Sequence, residues 1–200
     1  MDLGGGGWQF SCSVIEMVAA YLDIETNSKK ADAGRVIAIG LLIDAKSEVR
    51  FVDSIEEERK ALEWLQEKLK DCNELVTWYG SGFDIPFLLT RALVHDVNLD
   101  RLAELPMLDL CEWSRANLML TSYSLESVAR FLGINWSKEF HGPDILTMFR
   151  LAERGNLEAR KLIVEHCKED VIVLGQVHDK LKPLVERSRR GWPRKISRDK

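Results

Sequence analysis

The order of apolar segments in this 200-residue chain predicts one α/β or α+β domain built around a single sheet. Three strand-like segments come first, and from residue 55 onwards helical patterns alternate with further strand-like segments. With 46% apolar and 30% charged residues, the chain has the composition of an ordinary globular protein with a hydrophobic core. The sequence contains no internal repeat and no linker, so we expect one domain over residues 17–186.

The predicted strands are short apolar runs that end at polar or glycine-containing turns. The first covers residues 18–26, and the second, 35–43, is rich in Val and Ile, as expected of a buried strand. A short third strand is predicted at 49–52. Two later strands are predicted at 75–79, before a Gly-Ser-Gly turn, and at 107–110.

The predicted helices follow from apolar spacing. Residues 55–71 place Ile55, Leu62, Leu65 and Leu69 at helical intervals. Residues 83–94 continue after the glycine turn as a helix with Pro86 in its first turn, where proline is tolerated. Further helices are predicted at 112–118, 123–132, 144–153 and 157–186.

The two ends of the chain differ in composition from the predicted domain. Residues 1–16 contain four consecutive glycines without the lysine of a phosphate-binding loop, so we interpret them as a flexible, dispensable leader. Residues 187–200 carry seven basic residues and one acid, which predicts a basic C-terminal tail. Such a tail is either a solvated extension or an electrostatic contact to phosphates.

Composition also limits the location of the protein. The net charge of −4 indicates that no basic field covers the whole molecule. The cysteines form no C-x-x-C pair, and free thiols are typical of the reducing cytoplasm, where we expect the protein to be. The longest apolar run, 36–43, is far shorter than the about 20 residues of a membrane helix, so we expect no membrane contact.

The pair of acids in the first predicted strand is the strongest chemical signal. Asp23 and Glu25 are two positions apart, so in a strand they point to the same face, while Leu22 and Ile24 point to the other. Two adjacent like charges on a half-buried strand repel each other. A bound cation is the simplest feature that makes the pair favourable.

Asp84, Asp170 and His166 are the further candidate site residues. Asp84 follows the glycine turn in the first turn of a predicted helix, where the helix dipole alone would explain it. Asp170 lies on the apolar stripe of the last helix, one turn after His166, so a buried Asp–His hydrogen bond is the simpler alternative. Together the four carboxylates indicate two Mg²⁺ or Mn²⁺ ions, which prefer oxygen ligands and promote phosphodiester cleavage.

Three segments resemble, in order, the exonuclease motifs of the DEDD superfamily: 22–26 (LDIET), 79–88 (YGSGFDIPFL) and 166–171 (HCKEDV). These are the DnaQ-like 3′–5′ exonucleases with a ribonuclease H-like fold. Residues 122–129 (SYSLESVA) also resemble a segment of the YprB-like group of predicted exonucleases and of the proofreading domain of family B polymerases. The resemblance covers about residues 18–182.

The resemblance implies a mixed five-stranded sheet, with three antiparallel and then parallel strands, flanked by helices. It implies that Asp23 bridges two metal ions, that Glu25 and Asp170 complete one metal site, and that Asp84 supports the other. His166 would orient or deprotonate the attacking water. The partner would be the 3′ end of single-stranded DNA or RNA, lying across the sheet beside these acids.

The motifs differ from the superfamily patterns at two points. One branch ends in Tyr-x-x-x-Asp and the other in His-x-x-x-x-Asp, whereas His166 and Asp170 combine the first spacing with the second chemistry, as in the YprB-like group. Tyr79 stands where relatives often carry Asn. Asp109 matches an acid that often follows the next strand, and we interpret it either as a residue that supports the metal ligands or as a strand-end residue.

Three functions are consistent with these motifs. The leading hypothesis is a metal-dependent 3′–5′ exonuclease. An endonuclease on the same fold, specific for junctions or other structures, is the first alternative. The second is a non-catalytic nucleic-acid-binding module, although binding alone does not require four converging carboxylates.

Overall fold

The computed structural model describes residues 17–136 and 142–191, with side chains from 144 onwards in the second range. In these ranges the strands are β1 (Ala19–Thr26), β2 (Val36–Ile43), β3 (Lys46–Phe51), β4 (Glu74–Thr77) and β5 (Met107–Asp109). The helices are α1 (Ile55–Lys68), α2 (Asp84–His95), α3 (Asp100–Glu104), α4 (Leu110–Asn117), α5 (Leu125–Phe131), α6 (Gly142–Glu153) and α7 (Leu157–Arg189).

The strands form one mixed sheet in the order β3-β2-β1-β4-β5. β1, β2 and β3 pair antiparallel, while β4 is parallel to β1 and β5 is parallel to β4. The expected ribonuclease H-like fold, an α/β arrangement with a mixed five-stranded sheet, is confirmed. Because β1, β4 and β5 run in the same direction, their carboxyl ends meet at one edge of the sheet.

Helices cover both faces of this sheet, and the alternation along β1 decides which face carries the acids. Leu22 and Ile24 pack into a core formed with α1 and α2. Tyr21 packs on the opposite face, against a core that includes Leu174 and Val177 of α7. Since successive side chains alternate in a strand, Asp23 and Glu25 share the α7 face with Tyr21.

Two glycines allow α7 to lie very close to β2. A Cβ on Gly40, which pairs with Asp23, would lie 2.8 Å from Sγ and 3.0 Å from the carbonyl oxygen of Cys167. A Cβ on Gly175 would lie 2.8 Å from Cδ2 of Leu42. A glycine inside a strand is typical of such close approach, and here it seats α7 directly beside Asp23.

A buried ion network joins α1 and α2 to the start of β2. Glu58, which is fully buried, accepts hydrogen bonds from Val36 N (2.9 Å), Arg91 Nε (2.9 Å) and Nη2 (2.7 Å), and lies 2.7 Å from His95 Nε2. Arg91 also donates to the carbonyl of Ala31 in the β1–β2 turn. Burial raises the pKa of Glu58, but the hydrogen bonds from Arg91, Val36 and His95 outweigh it and lower the pKa overall. The network therefore ties the element that carries Asp84 to the turn that follows Glu25.

Some element bounds differ from the sequence predictions. β3 begins at Lys46 rather than 49, because Asp44 and Ala45 adopt positive φ angles (48° and 62°) in a tight hairpin without the usual Asn-Gly signal. The short helix α3 was not predicted. α7 continues to Arg189, three residues into the segment predicted as the tail, and Arg189 pairs with Glu74 of β4.

The predicted leader 1–16 and the rest of the tail, 192–200, lie outside the described residues. Within the described ranges, no helix combines the length and the apolar character needed to cross a membrane.

Candidate active site

The predicted site residues come from three elements that meet at the carboxyl end of β1. Asp23 and Glu25 lie on β1, on its α7 face. Asp84 is the first residue of α2, which follows β4 after a short turn. His166 and Asp170 lie one turn apart on the buried face of α7, and each is 7% exposed.

Glu25, His166 and Asp170 form the tightest group. Nε2 of His166 lies 3.3 Å from Oε1 of Glu25 and 3.8 Å from Oδ2 of Asp170. One potential ligand atom from each of the three lies within 4.8 Å of the others, a spacing that suits a metal ion. Glu25 of β1 thus contacts His166 of α7, and the helical spacing of His166 and Asp170 did not predict this contact.

Asp23 lies beside this group, next to Cys167. The thiol of Cys167 lies 3.8 Å from the carbonyl oxygen and 3.9 Å from Oδ2 of Asp23. Burial raises the pKa of this thiol well above its usual value, and the negative charges of Asp23, Glu25, Asp170 and Asp84 raise it further. Asp23 therefore lies beside the segment of α7 that carries His166 and Asp170.

Asp84 is hydrogen-bonded to the backbone of β1. Its Oδ1 accepts a hydrogen bond from the backbone N–H of Ile24 (3.1 Å), the residue between Asp23 and Glu25. Burial raises the pKa of Asp84 to about 7, and the charge of Asp109 adds to this effect; hydrogen bonds from the backbone N–H groups of Asp84 and Ile24 act in the opposite direction. A carboxylate with a raised pKa gains from a nearby cation, because the cation favours the charged form.

Asp109 organises the turn that leads to Asp84. Its carboxylate accepts hydrogen bonds from Tyr79 N (2.9 Å), Ser81 N (3.0 Å) and Ser81 Oγ (2.5 Å). The same carboxylate caps α4 by accepting from the N–H groups of Cys111 (3.1 Å) and Glu112 (3.2 Å). The prediction of a strand-end residue is confirmed, and its partners show that it fixes the β4–α2 turn relative to α4.

Sequence reasoning missed Gly40 as part of the site. Its contribution is the space that lets Cys167, and with it His166 and Asp170, approach β1. The isolated glycine within an otherwise Val- and Ile-rich strand was the signal that could have found it.

A family model described as the RNase_H superfamily matches residues 20–182. The chain belongs to this superfamily. Membership points to a nuclease, a hydrolase that acts on nucleic acid, and a divalent metal ion is typical of such enzymes.

The structure is also similar to a family B DNA polymerase from the hyperthermophilic archaeon Pyrobaculum calidifontis. The TM-score is 0.68 at 20% sequence identity, and the match covers 84% of this chain and 25% of the polymerase chain. At this identity the likeness concerns the fold alone, and this chain spans about a quarter of the polymerase. A comparison with curated proteins gives no significant match.

Proposed function

We propose that this protein is a 3′–5′ exonuclease that hydrolyses phosphodiester bonds in single-stranded nucleic acid with two Mg²⁺ or Mn²⁺ ions. The observation that carries the proposal is the meeting of Glu25, His166 and Asp170 within 4.8 Å, with Asp23 beside Cys167 and Asp84 hydrogen-bonded to Ile24, between the two acids of β1. The direction of cleavage follows from the resemblance of the three motifs, in their order, to the DEDD exonucleases.

The chemistry of the donor set fits divalent cations that prefer oxygen. Four buried or half-buried carboxylates concentrate negative charge, and burial alone already raises the pKa of Asp84, which a bound cation would counteract. Asp23, Glu25, Asp84 and Asp170 would hold the two ions. When bound, such ions supply an activated water and stabilise the leaving oxygen.

The remaining steps belong to the protein itself. His166 would orient the attacking water and accept its proton, and the Glu25 carboxylate, 3.3 Å from Nε2, would stabilise the resulting imidazolium. The close approach of α7 to Gly40 brings His166 and Asp170 against β1. The chain would thereby present a pre-arranged site to the terminal phosphodiester.

The proposal also includes a cytoplasmic location for the protein and roles for its two terminal segments. The described cysteines Cys72, Cys111 and Cys167 are free and buried, which fits a reducing cytoplasm. Residues 17–186 would carry the activity, with 1–16 as a dispensable leader and 187–200 as a basic extension. Cleavage by protein that lacks 1–16 tests the first part of this assignment.

One assay distinguishes the proposed function from its alternatives. The protein is incubated with 5′-labelled single-stranded DNA, duplex DNA or RNA in Mg²⁺, Mn²⁺ or EDTA, with Asp170→Asn as the matched control. We expect a ladder that shortens from the 3′ end of single strands, dependent on the metal and absent in the variant. Discrete internal cuts would indicate an endonuclease, and intact substrate under every condition would indicate a binding module.

A further inference from the structure

The turn between β4 and α2 presents an aromatic ring in a constrained backbone conformation. Tyr79 has a φ angle of 63°, in the left-handed region that non-glycine residues seldom adopt. The hydrogen bond from its N–H to Asp109 holds it there. Such conformations persist only where the surrounding structure holds them, and they occur often at functional sites.

The ring of Tyr79 is held in place but remains accessible. It lies against Gly82, where a Cβ would come within 2.5 Å of ring carbon Cζ, so only glycine leaves room for the ring. Tyr79 is nevertheless 43% exposed. The ring therefore has a defined position on the surface of the turn that leads to Asp84.

Arg115 of α4 lies over this ring. Its guanidinium carbon is 5.0 Å from the ring centroid, a cation–π contact that limits the positions of a long side chain. Arg115 also forms an ion pair with Glu112 through Nη1, and this pair is weak because it is exposed. The other N–H groups of the guanidinium remain able to donate to a further acceptor. Asp109 fixes both partners relative to each other, because it binds the turn of Tyr79 and caps the helix of Arg115.

The position of this pair relates it to the acids. Tyr79 follows β4 and Arg115 follows β5, and the carboxyl ends of these parallel strands lie at the same sheet edge as that of β1. The two ions of the proposed site would neutralise its four carboxylates, and the formal net charge of −4 shows that no basic field covers the whole molecule to hold the rest of a polyanionic strand. When the 3′ end of a strand lies at the acids, the preceding phosphates lie outside the carboxylate group. A cationic side chain held beside the site can bind one of these phosphates.

We propose that Arg115, held by the ring of Tyr79, binds a backbone phosphate of the substrate strand upstream of the scissile bond. The inference rests on the proposed function, and it assigns an upstream phosphate contact to residues outside the carboxylate group. Guanidinium groups bind phosphate through two parallel hydrogen bonds, which the stacked geometry of Arg115 favours. Tyr79 acts through Arg115 and is a positioning residue.

The test combines cleavage kinetics with binding of a labelled single-stranded 12-mer at several salt concentrations. For Arg115→Ala we expect KM to rise about tenfold with kcat changed less than about twofold, because a ground-state contact is lost. The slope of log K against log salt is negative, and its magnitude should decrease by about 0.7, the value for the loss of one phosphate contact on a single strand. Arg115→Lys should recover part of the affinity.

Variants of Tyr79 test its positioning role. Tyr79→Phe keeps the ring over the guanidinium and should keep KM within about twofold of the wild type. Tyr79→Leu removes the cation–π contact and should raise KM about two- to fivefold. Arg59→Ala is the matched control, because Arg59 is an exposed arginine paired with Glu63 on α1, which packs on the other sheet face; its KM and salt slope should equal those of the wild type.

The outcomes separate this inference from the proposed function. Arg115→Ala with the KM and salt slope of a cleaving wild type overturns the inference and leaves the exonuclease assignment intact. A wild type that binds the 12-mer without cleaving it, with weaker binding in Arg115→Ala, supports the phosphate contact and overturns the exonuclease. A wild type that neither binds nor cleaves overturns both.

Discussion

Gly40→Ala is the most direct test of how α7 is seated beside the acids. The added Cβ would lie 2.8 Å from Sγ and 3.0 Å from the carbonyl oxygen of Cys167, and 3.2 Å from Cγ1 of Val171. Comfortable contacts between such atoms begin at about 3.5 Å. The backbone carbonyl cannot rotate away as a side chain can, so α7 must move away from β2 by a few tenths of an ångström, up to about 0.5 Å.

This displacement acts directly on His166 and Asp170, which flank Cys167 on α7. A misplacement of about 1 Å can lower the rate of an enzyme about 100-fold, so half that distance corresponds to about a tenfold loss of kcat. Overpacking of this kind also lowers the free energy of unfolding by about 1–3 kcal/mol. We expect both effects in Gly40→Ala, with a cooperative unfolding transition retained.

Two variants serve as controls for this prediction. Gly175→Ala brings its Cβ to 2.8 Å from Cδ2 of Leu42, the mobile tip of a side chain, and alanine favours the helix, so kcat should stay near the wild-type value. Adding Cys167→Ala to Gly40→Ala removes the contact with Sγ but not that with the carbonyl, so it should restore part of the activity. The measurements are kcat on a labelled single strand and urea unfolding followed by circular dichroism. Wild-type kcat and stability in Gly40→Ala would refute the proposed seating of α7.

Three further predictions concern the site itself. Asp170→Asn should abolish cleavage and raise the melting temperature in EDTA, since repulsion among the carboxylates is relieved; retained cleavage would contradict its role as a metal ligand. Because the pKa of Asp84 is raised to about 7 in the folded state, the folded protein binds a proton that the unfolded chain releases above about pH 4. Stability of the metal-free protein should therefore fall by about 2–4 kcal/mol as the pH rises from 4 to 8, and Asp84→Asn should remove this dependence; equal slopes in urea titrations of the two proteins would contradict the assignment. His166→Ala should lower kcat more than metal affinity and remove the acidic limb of the pH–rate profile; an unchanged profile would show that His166 is not the base.

The regular elements were largely predictable from local patterns. β1, β2, α1 and α2 agree with the predictions within a few residues, because buried faces impose a period of two on strands and of 3.6 on helices. The start of β3 and the helix α3 were missed, since the first depends on positive φ angles in a turn without glycine and the second is only five residues long.

The site was predictable to the extent that its residues lie on strongly patterned elements. The spacing of Asp23 and Glu25 within an apolar strand already placed them on one face, because strand geometry is local. The apolar stripe of α7 likewise placed Asp170 on a buried face. The contact of His166 with Glu25 was not predictable, because it depends on where the helix lies on the sheet.

The sequence by itself determined the order of the strands and of the helices other than α3, the pairing of acids on β1 and the burial of Asp170. Tertiary structure alone decided three things: the close approach of α7 to Gly40, the three hydrogen bonds from the β4–α2 turn to Asp109, and the stacking of Arg115 on Tyr79. The physical reason is the range of the interactions. Periodicity records which side of an element is buried, whereas these contacts join residues that meet only after the sheet and its helices have packed.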